Sequence, residues 1–294
     1  MEKWPNLFIV GAPKAGTSSI YAYLTNIPGI FMSPIKEPNF FSIKTIAAES
    51  PVKPIRNTLK YLSLFKKVKD EKIIGEASPS YLSDPEAPKL IHKTVPNARI
   101  IISLRDPVER TFSYYLMFVR LGLMKETFHE ELEKSMKLVR AYNTRSLRLE
   151  TGLYAEDVQR YLDIFGPKQV KIVIFEEFVK NPKKTMHEIL LFLDIIEDLK
   201  DFKGEAYNKF AIARGPIAQF ILRDKTIRGT LERIIPPSSR RLLREKLLVK
   251  NEKKPEMTQT DRDVLKKMTE RKLSKREKPF RKELQQKQER TVSP

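Results

Sequence analysis

The chain has 294 residues, enough for one large α/β domain or two small ones, and its 56 Lys+Arg against 37 Asp+Glu give a formal net charge of +19. The absence of cysteine excludes a disulfide framework, zinc–thiolate and iron–sulfur sites and a thiol nucleophile, and the three histidines (His92, His129, His187) lie too far apart in sequence to suggest a metal cluster. No apolar run approaches the ~18 residues that span a bilayer, and Met1-Glu2-Lys3-Trp4-Pro5-Asn6 leads straight into a strand, so a soluble, cytoplasmic protein without a signal peptide is expected.

Leu7-Phe8-Ile9-Val10 is a short continuous apolar run bounded by Gly11 and Pro13, the pattern of a buried parallel strand. A helix is predicted over residues 17–26, opened by a hydroxyl N-cap and stopped by Asn26 and Pro28. Further strands are predicted at 73–76, 99–104 and 170–175, and further helices at 86–95, 107–121, 155–165 and 182–193. Strand–helix alternation of this kind predicts an α/β fold, a parallel sheet flanked by helices on both faces. The connection 41–72 and a helical insertion at 127–148 are expected at the carboxyl edge of the sheet, where such folds hold ligands. One domain over 1–250 is expected, followed by a basic tail over 251–294.

The excess charge is uneven. From Arg240 to Pro294 there are 19 basic and 9 acidic residues. Residues 260–275 read as a polar helix in which Val264, Leu265, Met268 and Leu273 form a thin apolar stripe able to dock on the body, with a disordered end after Pro279. A nucleic-acid-binding arm is the alternative, but the tail carries one aromatic, Phe280, and no recognisable binding module.

After the first strand comes Gly11-Ala12-Pro13-Lys14-Ala15-Gly16-Thr17-Ser18-Ser19. A strand, a Gly-containing turn and a helix start direct backbone N–H groups and the helix dipole at one point, and Lys14, Thr17 and Ser18 add a cation and two hydroxyls. The alternative is a tight turn with a surface lysine. A Walker A loop would carry lysine where Thr17 stands, so a P-loop kinase holding Mg²⁺ is the weaker enzyme reading, and a metal-independent anion site the stronger.

A second anion site is read at the end of the strand 99–104. Arg105 offers a planar fork, Pro107 fits the first turn of a helix, and Ser113 lies two turns further on. Arg105 pairing with Asp106 or Glu109 is the plainer alternative. Two anion sites at the ends of parallel strands favour a ligand with two phosphate-type groups.

Residues 11–19 together with 99–115 resemble the paired signature of the sulfotransferases that use 3′-phosphoadenosine 5′-phosphosulfate (PAPS), whose fold is P-loop NTPase-like. The resemblance runs from about Asn6 to Phe220 and includes Lys36-Glu37-Pro38-Asn39-Phe40-Phe41, Gly75-Glu76-Ala77-Ser78-Pro79-Ser80-Tyr81, Thr151-Gly152-Leu153-Tyr154 and Phe175-Glu176-Glu177-Phe178. These pieces are most similar to the heparan-sulfate-type and bacterial branch. The resemblance implies sulfuryl transfer from PAPS to a hydroxyl or amine of a carbohydrate or small-molecule acceptor, without metal. It implies that Lys14, Ala15, Gly16, Thr17 and Ser18 hold the 5′-phosphosulfate, with Lys14 neutralising the leaving phosphate, and that Arg105 and Ser113 hold the 3′-phosphate. Glu37 falls where that branch keeps its catalytic base; the alternative is a loop ion pair with Lys36 or Lys44. Glu76 is the rival base or a substrate contact, Tyr154 a pocket wall, and Arg214-Gly215 part of a loop closing over the nucleotide. Relatives often carry lysine where this chain has Ala77, and the resemblance fades after Gly215.

Overall fold

The computed structural model describes residues 3–42, 54–121, 123–124, 126–137, 153–200 and 254–276, with isolated positions between 202 and 249. Strands β1 (Leu7–Gly11), β2 (Ile30–Met32), β3 (Ile73–Ala77), β4 (Arg99–Leu104) and β5 (Val170–Ile174) form one sheet in the order β2-β3-β1-β4-β5. All four pairings are parallel. The helices are α1 (Thr17–Leu24), α2 (Thr58–Leu62), α3 (Ala87–Thr94), α4 (Pro107–Arg120), α5 (Phe128–Lys137), α6 (Ala155–Phe165), α7 (Phe175–Lys180), α8 (Pro182–Phe192) and α9 (Gln259–Arg276). A two-residue pair, β6 (Ile212–Ala213) and β7 (Leu248–Val249), runs antiparallel.

The period-two alternation of β1 explains the three layers. Leu7 and Ile9 pack on one face with Ile20 and Leu24 of α1 and Met186, Ile189 and Leu190 of α8. Phe8 and Val10 pack on the other with Ile91 of α3, Val158 and Tyr161 of α6, and Phe41 and Tyr61. β1 therefore has no polar face, which is why its sequence reads as an unbroken apolar run. Its neighbours β3 and β4 lie on opposite sides, so the chain order reverses at β1 and a crevice opens beyond the carboxyl ends of β1 and β4.

The expected strands, and the helices at 17–26, 86–95, 107–121, 155–165, 182–193 and 260–275, are present with ends within two residues of those expected; the insertion expected at 127–148 is helical over Phe128–Lys137, and its remainder lies outside the described residues. Among the described elements, β2, α2, α7 and the short pair β6–β7 were not predicted. β2 is three residues long, too short for any periodicity to register, and α7 was read only as a motif. The expected hydroxyl cap of α1 is corrected: Gly16 is the N-cap, at φ 86°, and Thr17 is the first helical residue.

Helix α9 docks on α4 and α5. Leu265, 2% exposed, joins Val108, Phe112, Tyr115, Leu116, Phe128 and Leu132, and Val264 packs beside them. Asp261 accepts from Thr258 Oγ1 at 2.7 Å and from His129 Nδ1 at 2.7 Å, and Arg262 pairs with Glu109. The expected disorder after Pro279 lies outside the described residues.

Candidate anion-binding and acceptor site

The loop from Gly11 to Gly16 is built against the end of β4. Ala12 N donates to Ser103 O at 2.6 Å, and Ser103 Oγ donates to Ala15 O. Arg105 Nη1 donates to Lys14 O at 3.2 Å. Lys14 itself sits at φ 69°, a left-handed conformation that L-residues with a Cβ adopt only under constraint. Gly16 is required rather than convenient: besides its positive φ, a Cβ there would stand 2.7 Å from Cδ2 of Phe175. Thr17 and Ser18 open α1 directly beyond, so the unsatisfied amides of the helix start face the same crevice.

The electrostatics of Lys14 set it apart. Burial, then the charges of Arg120, Arg105 and Lys36, push its ammonium down to about 7, with Glu37 opposing them. Three cationic side chains thus act on one buried ammonium, a setting whose electrostatics favour an anion.

Arg105 leaves β4 and lies over the ring of Phe175, 4.6 Å from guanidinium carbon to centroid. Its nearest acid is Glu109 at 3.9 Å; Asp106 does not pair with it but caps α4, accepting from Val108 N at 2.9 Å and Glu109 N at 3.0 Å. That cap occupies amides at the start of α4, leaving side chains to receive any second anion there. Arg105 precedes the N-cap of α4, and Glu109 and Ser113 lie four residues apart on one face of that helix. Arg105 Nε is buried with no hydrogen-bond partner among the described residues, and the same holds for Tyr154 Oη. Tyr154 is the N-cap residue of α6, its hydroxyl pushed up to about 12 by burial. Arg110, fully buried on α4, acts electrostatically on both Tyr154 and Tyr114. The Arg105 backbone acts on the Tyr154 phenol, so the buried Arg105 Nε is the group that marks a place where a polar atom from outside fits.

Glu37 approaches from a third element. The chain leaving β2 runs alongside β3, and Glu37 N donates to Ala77 O at 2.9 Å. Glu37 and Asn39 both have positive φ, 64° and 51°. Asparagine tolerates this conformation and glutamate does not, so an unusual backbone holds the glutamate in place. Lys36 Nζ lies 2.9 Å from Glu37 Oε1, each side chain about one-quarter exposed (23% and 22%). The ion pair considered in the sequence is therefore present, and it lies beside Lys14 rather than on a remote loop, since both charges act on that ammonium.

The structure thus brings together Lys14, Ala15, Gly16, Thr17, Ser18, Glu37, Arg105 and Tyr154 around the crevice. Glu76 is not with them, and its expected placement is corrected. It lies inside β3 with 0% exposure, Oε1 accepting from Tyr61 and Tyr81 and Oε2 from Ser78. Both oxygens face the core, because Glu76 and Ile74 share the side of β3 turned to the Phe41–Tyr61–Tyr81 cluster. Arg214 lies outside the described residues, and Gly215 has φ 77°. Sequence reasoning gave no role to Phe175, Arg110 or Ser103, and gave Lys36 only that of a loop ion-pair partner for Glu37. Phe175 and Ser103 carry no local signal, whereas a second arginine, Arg110, five residues after Arg105 was visible.

A family model described as a sulfotransferase domain matches residues 5–210. Human carbohydrate sulfotransferase 15 is 31% identical over 245 residues, covering 65% of this chain and 44% of that protein. The bifunctional heparan sulfate N-deacetylase/N-sulfotransferase 1 of Caenorhabditis briggsae is 22% identical over 219 residues, 72% of this chain and 24% of that protein. The chain therefore spans less than half the length of these curated relatives. The crystal structure of a sulfotransferase from Alicyclobacillus acidocaldarius matches with a TM-score of 0.61 at 33% identity, over 81% of this chain and 99% of that one. The doubly flanked parallel sheet and a family match over most of its length make the chain a member of the sulfotransferase family.

Proposed function

We propose that the protein transfers the sulfuryl group of PAPS to a hydroxyl or amine of a carbohydrate acceptor. The observation that carries this reading is the loop at the start of α1, anchored on Ser103 and Arg105, with the buried Lys14 ammonium lowered to about 7 by burial and by the charges of Arg120, Arg105 and Lys36. Arg105, whose Nη1 touches that loop at Lys14 O and whose buried Nε has no hydrogen-bond partner among the described residues, fits a second phosphate-type group on the same ligand.

In this reading the loop amides with Thr17 and Ser18 bind the 5′-phosphate, and Arg105 with Ser113 binds the 3′-phosphate. Tyr154 walls the pocket, and Arg214 and Gly215 close over it. Glu37 takes the proton from the acceptor hydroxyl as its oxygen attacks sulfur from the side opposite the 5′-phosphate. The sulfur–oxygen bond to that phosphate breaks, its electron pair stays on the phosphate oxygen, and Lys14 neutralises the charge that builds there. The transferred group carries less charge than a phosphoryl group, so side-chain cations suffice where kinases use Mg²⁺. Lys36, paired with Glu37 at 2.9 Å, holds one oxygen of that carboxylate.

The test is calorimetry of 3′-phosphoadenosine 5′-phosphate (PAP), adenosine 5′-phosphosulfate and ADP without divalent metal, joined to transfer from radiolabelled PAPS onto N-deacetylated heparosan and chondroitin. PAP binding well above ADP is expected, and Glu37→Gln is expected to keep PAP binding while losing transfer. Absent PAP binding refutes the donor. Full transfer by Glu37→Gln refutes the base.

A further inference from the structure

Glu76 is a carboxylate in the middle of the protein, removed from water on every side. Such a group is expensive to bury, and its presence in an otherwise apolar strand asks for a reason. Tyr61 Oη and Tyr81 Oη donate to Oε1 at 2.8 and 2.9 Å, and Ser78 Oγ donates to Oε2 at 2.7 Å. Even so, burial lifts the carboxyl to about 7.

Two of these hydroxyls pass the effect onward. A hydroxyl has one hydrogen and two lone pairs, so one that donates to Glu76 can only accept elsewhere. Ser78 Oγ accepts from Asn39 N at 3.1 Å, and Tyr81 Oη accepts from Phe41 N at 3.2 Å. In its ionised form, which predominates above about pH 7, the carboxylate accepts only and so fixes the direction of both chains; an amide, or the acid protonated at lower pH, would let a hydroxyl turn round and lose the backbone N–H. Asn39 in turn holds Glu37. Its Nδ2 donates to Glu37 O at 2.9 Å, and its Oδ1 accepts from Ser80 Oγ at 2.6 Å. The left-handed pair Glu37 and Asn39 is thereby pinned from below at Asn39 and Phe41.

We infer that Glu76 is a positioning residue: through Ser78 and Tyr81 it orients the amides of Asn39 and Phe41 and so sets the turn that presents Glu37 to the crevice. The inference rests on the reading of Glu37 as the base. Tyr61 supplies the internal control, because it donates to the same carboxylate but its hydroxyl bonds no loop amide among the described residues, and its ring stacks on Phe40 at 4.2 Å whether or not the hydroxyl is there.

The experiment compares Glu76→Gln, Ser78→Ala, Tyr81→Phe and Tyr61→Phe in the full chain by amide hydrogen exchange at Asn39 and Phe41, PAP affinity, and kcat and KM for PAPS with N-deacetylated heparosan and chondroitin. Ser78→Ala is expected to lose protection at Asn39, Tyr81→Phe at Phe41, and Glu76→Gln at both. In these three, kcat falls on the order of 10- to 100-fold, as for a misplaced reacting group, while PAP affinity and KM for PAPS hold. Tyr61→Phe is expected to keep both amides protected and kcat near wild type. Unchanged protection in the first three variants, or equal loss of protection in Tyr61→Phe, overturns the inference, and so does lost protection with unchanged kcat. Should Glu76→Gln fail to fold, the two single-hydroxyl variants decide it alone. A failure of the base reading is separately visible, since Glu37→Gln then retains turnover whatever the amides do.

Discussion

Nucleotide binding should carry a proton with it, because Lys14 is half neutral near pH 7 in the free protein and must be charged to hold a phosphate. The sign follows from the direction of the shift. An ammonium lowered to about 7 is protonated below that pH and loses its proton as pH rises, so PAP affinity is flat on the acid side and falls above neutrality. With a value of about 7, roughly half of the side chains are charged at pH 7 and about 1% at pH 9, a loss of about 50-fold in affinity. The phosphates of PAP contribute little over this range, their second ionisation lying near 6. Titrations of PAP at pH 7, 8 and 9, each in two buffers of different ionisation enthalpy, read affinity and proton uptake together. Uptake is expected to rise from about one-half toward one proton per site, as a single ionisation requires. Lys14→Arg, charged throughout, should bind PAP with no such slope, and Lys14→Met should bind weakly at every pH. A wild-type slope that survives in Lys14→Met would refute the assignment, and so would zero proton uptake at pH 9.

Arg105→Ala should weaken PAP by about 10- to 100-fold, the range of a charge-assisted hydrogen bond, and adenosine 5′-phosphosulfate far less; equal losses in calorimetry would remove Arg105 from the 3′-phosphate. Arg105→Lys should not restore it, since the ammonium gives up the planar stacking on Phe175. Gly16→Ala should destabilise the fold by about 2 kcal/mol or more, from a left-handed alanine and the approach to Phe175, read as a lowered denaturation midpoint; a neutral result would mean the loop relaxes at no cost. The His129–Asp261 bond raises the imidazole above its ordinary 6.5. Its contribution to the docking of α9 is therefore fully present below about 6.5 and lost as pH rises through the folded value. Protection factors of α9 amides should fall across that window in wild type and be flat in His129→Ala, and a flat wild-type profile would exclude His129 as the clasp.

What could be seen in the sequence was contiguous. The loop Gly11–Gly16, the strand ending at Arg105 and the helix opened by Pro107 each lie within one short stretch, and the strand–helix rhythm carries the sheet. Convergence was harder to see. That Phe175 lies under Arg105, or that Tyr154 faces Arg110, depends on β4, β5 and α6 being neighbours, which no local pattern encodes. The left-handed backbone at Glu37 was likewise invisible, because glutamate has no preference for that region and is forced there by its neighbours.

Glu76 shows where local reasoning fails and why. A strand ending at residue 76 would put its carboxylate at the sheet edge beside the crevice; β3 runs one residue further, and Glu76 then lies within the strand. Side chains alternate, so its face is the one it shares with Ile74, against Tyr61 and Tyr81. A polar residue on that face can exist only with partners, and those partners come from α2 and from the turn after β3, separated from it in sequence by 15 and 5 positions. The two roles open to a glutamate near a strand end, touching substrate or holding what touches substrate, differ by a single step of register. Here the burial selects the second, and the hydroxyl directions say which loop is held.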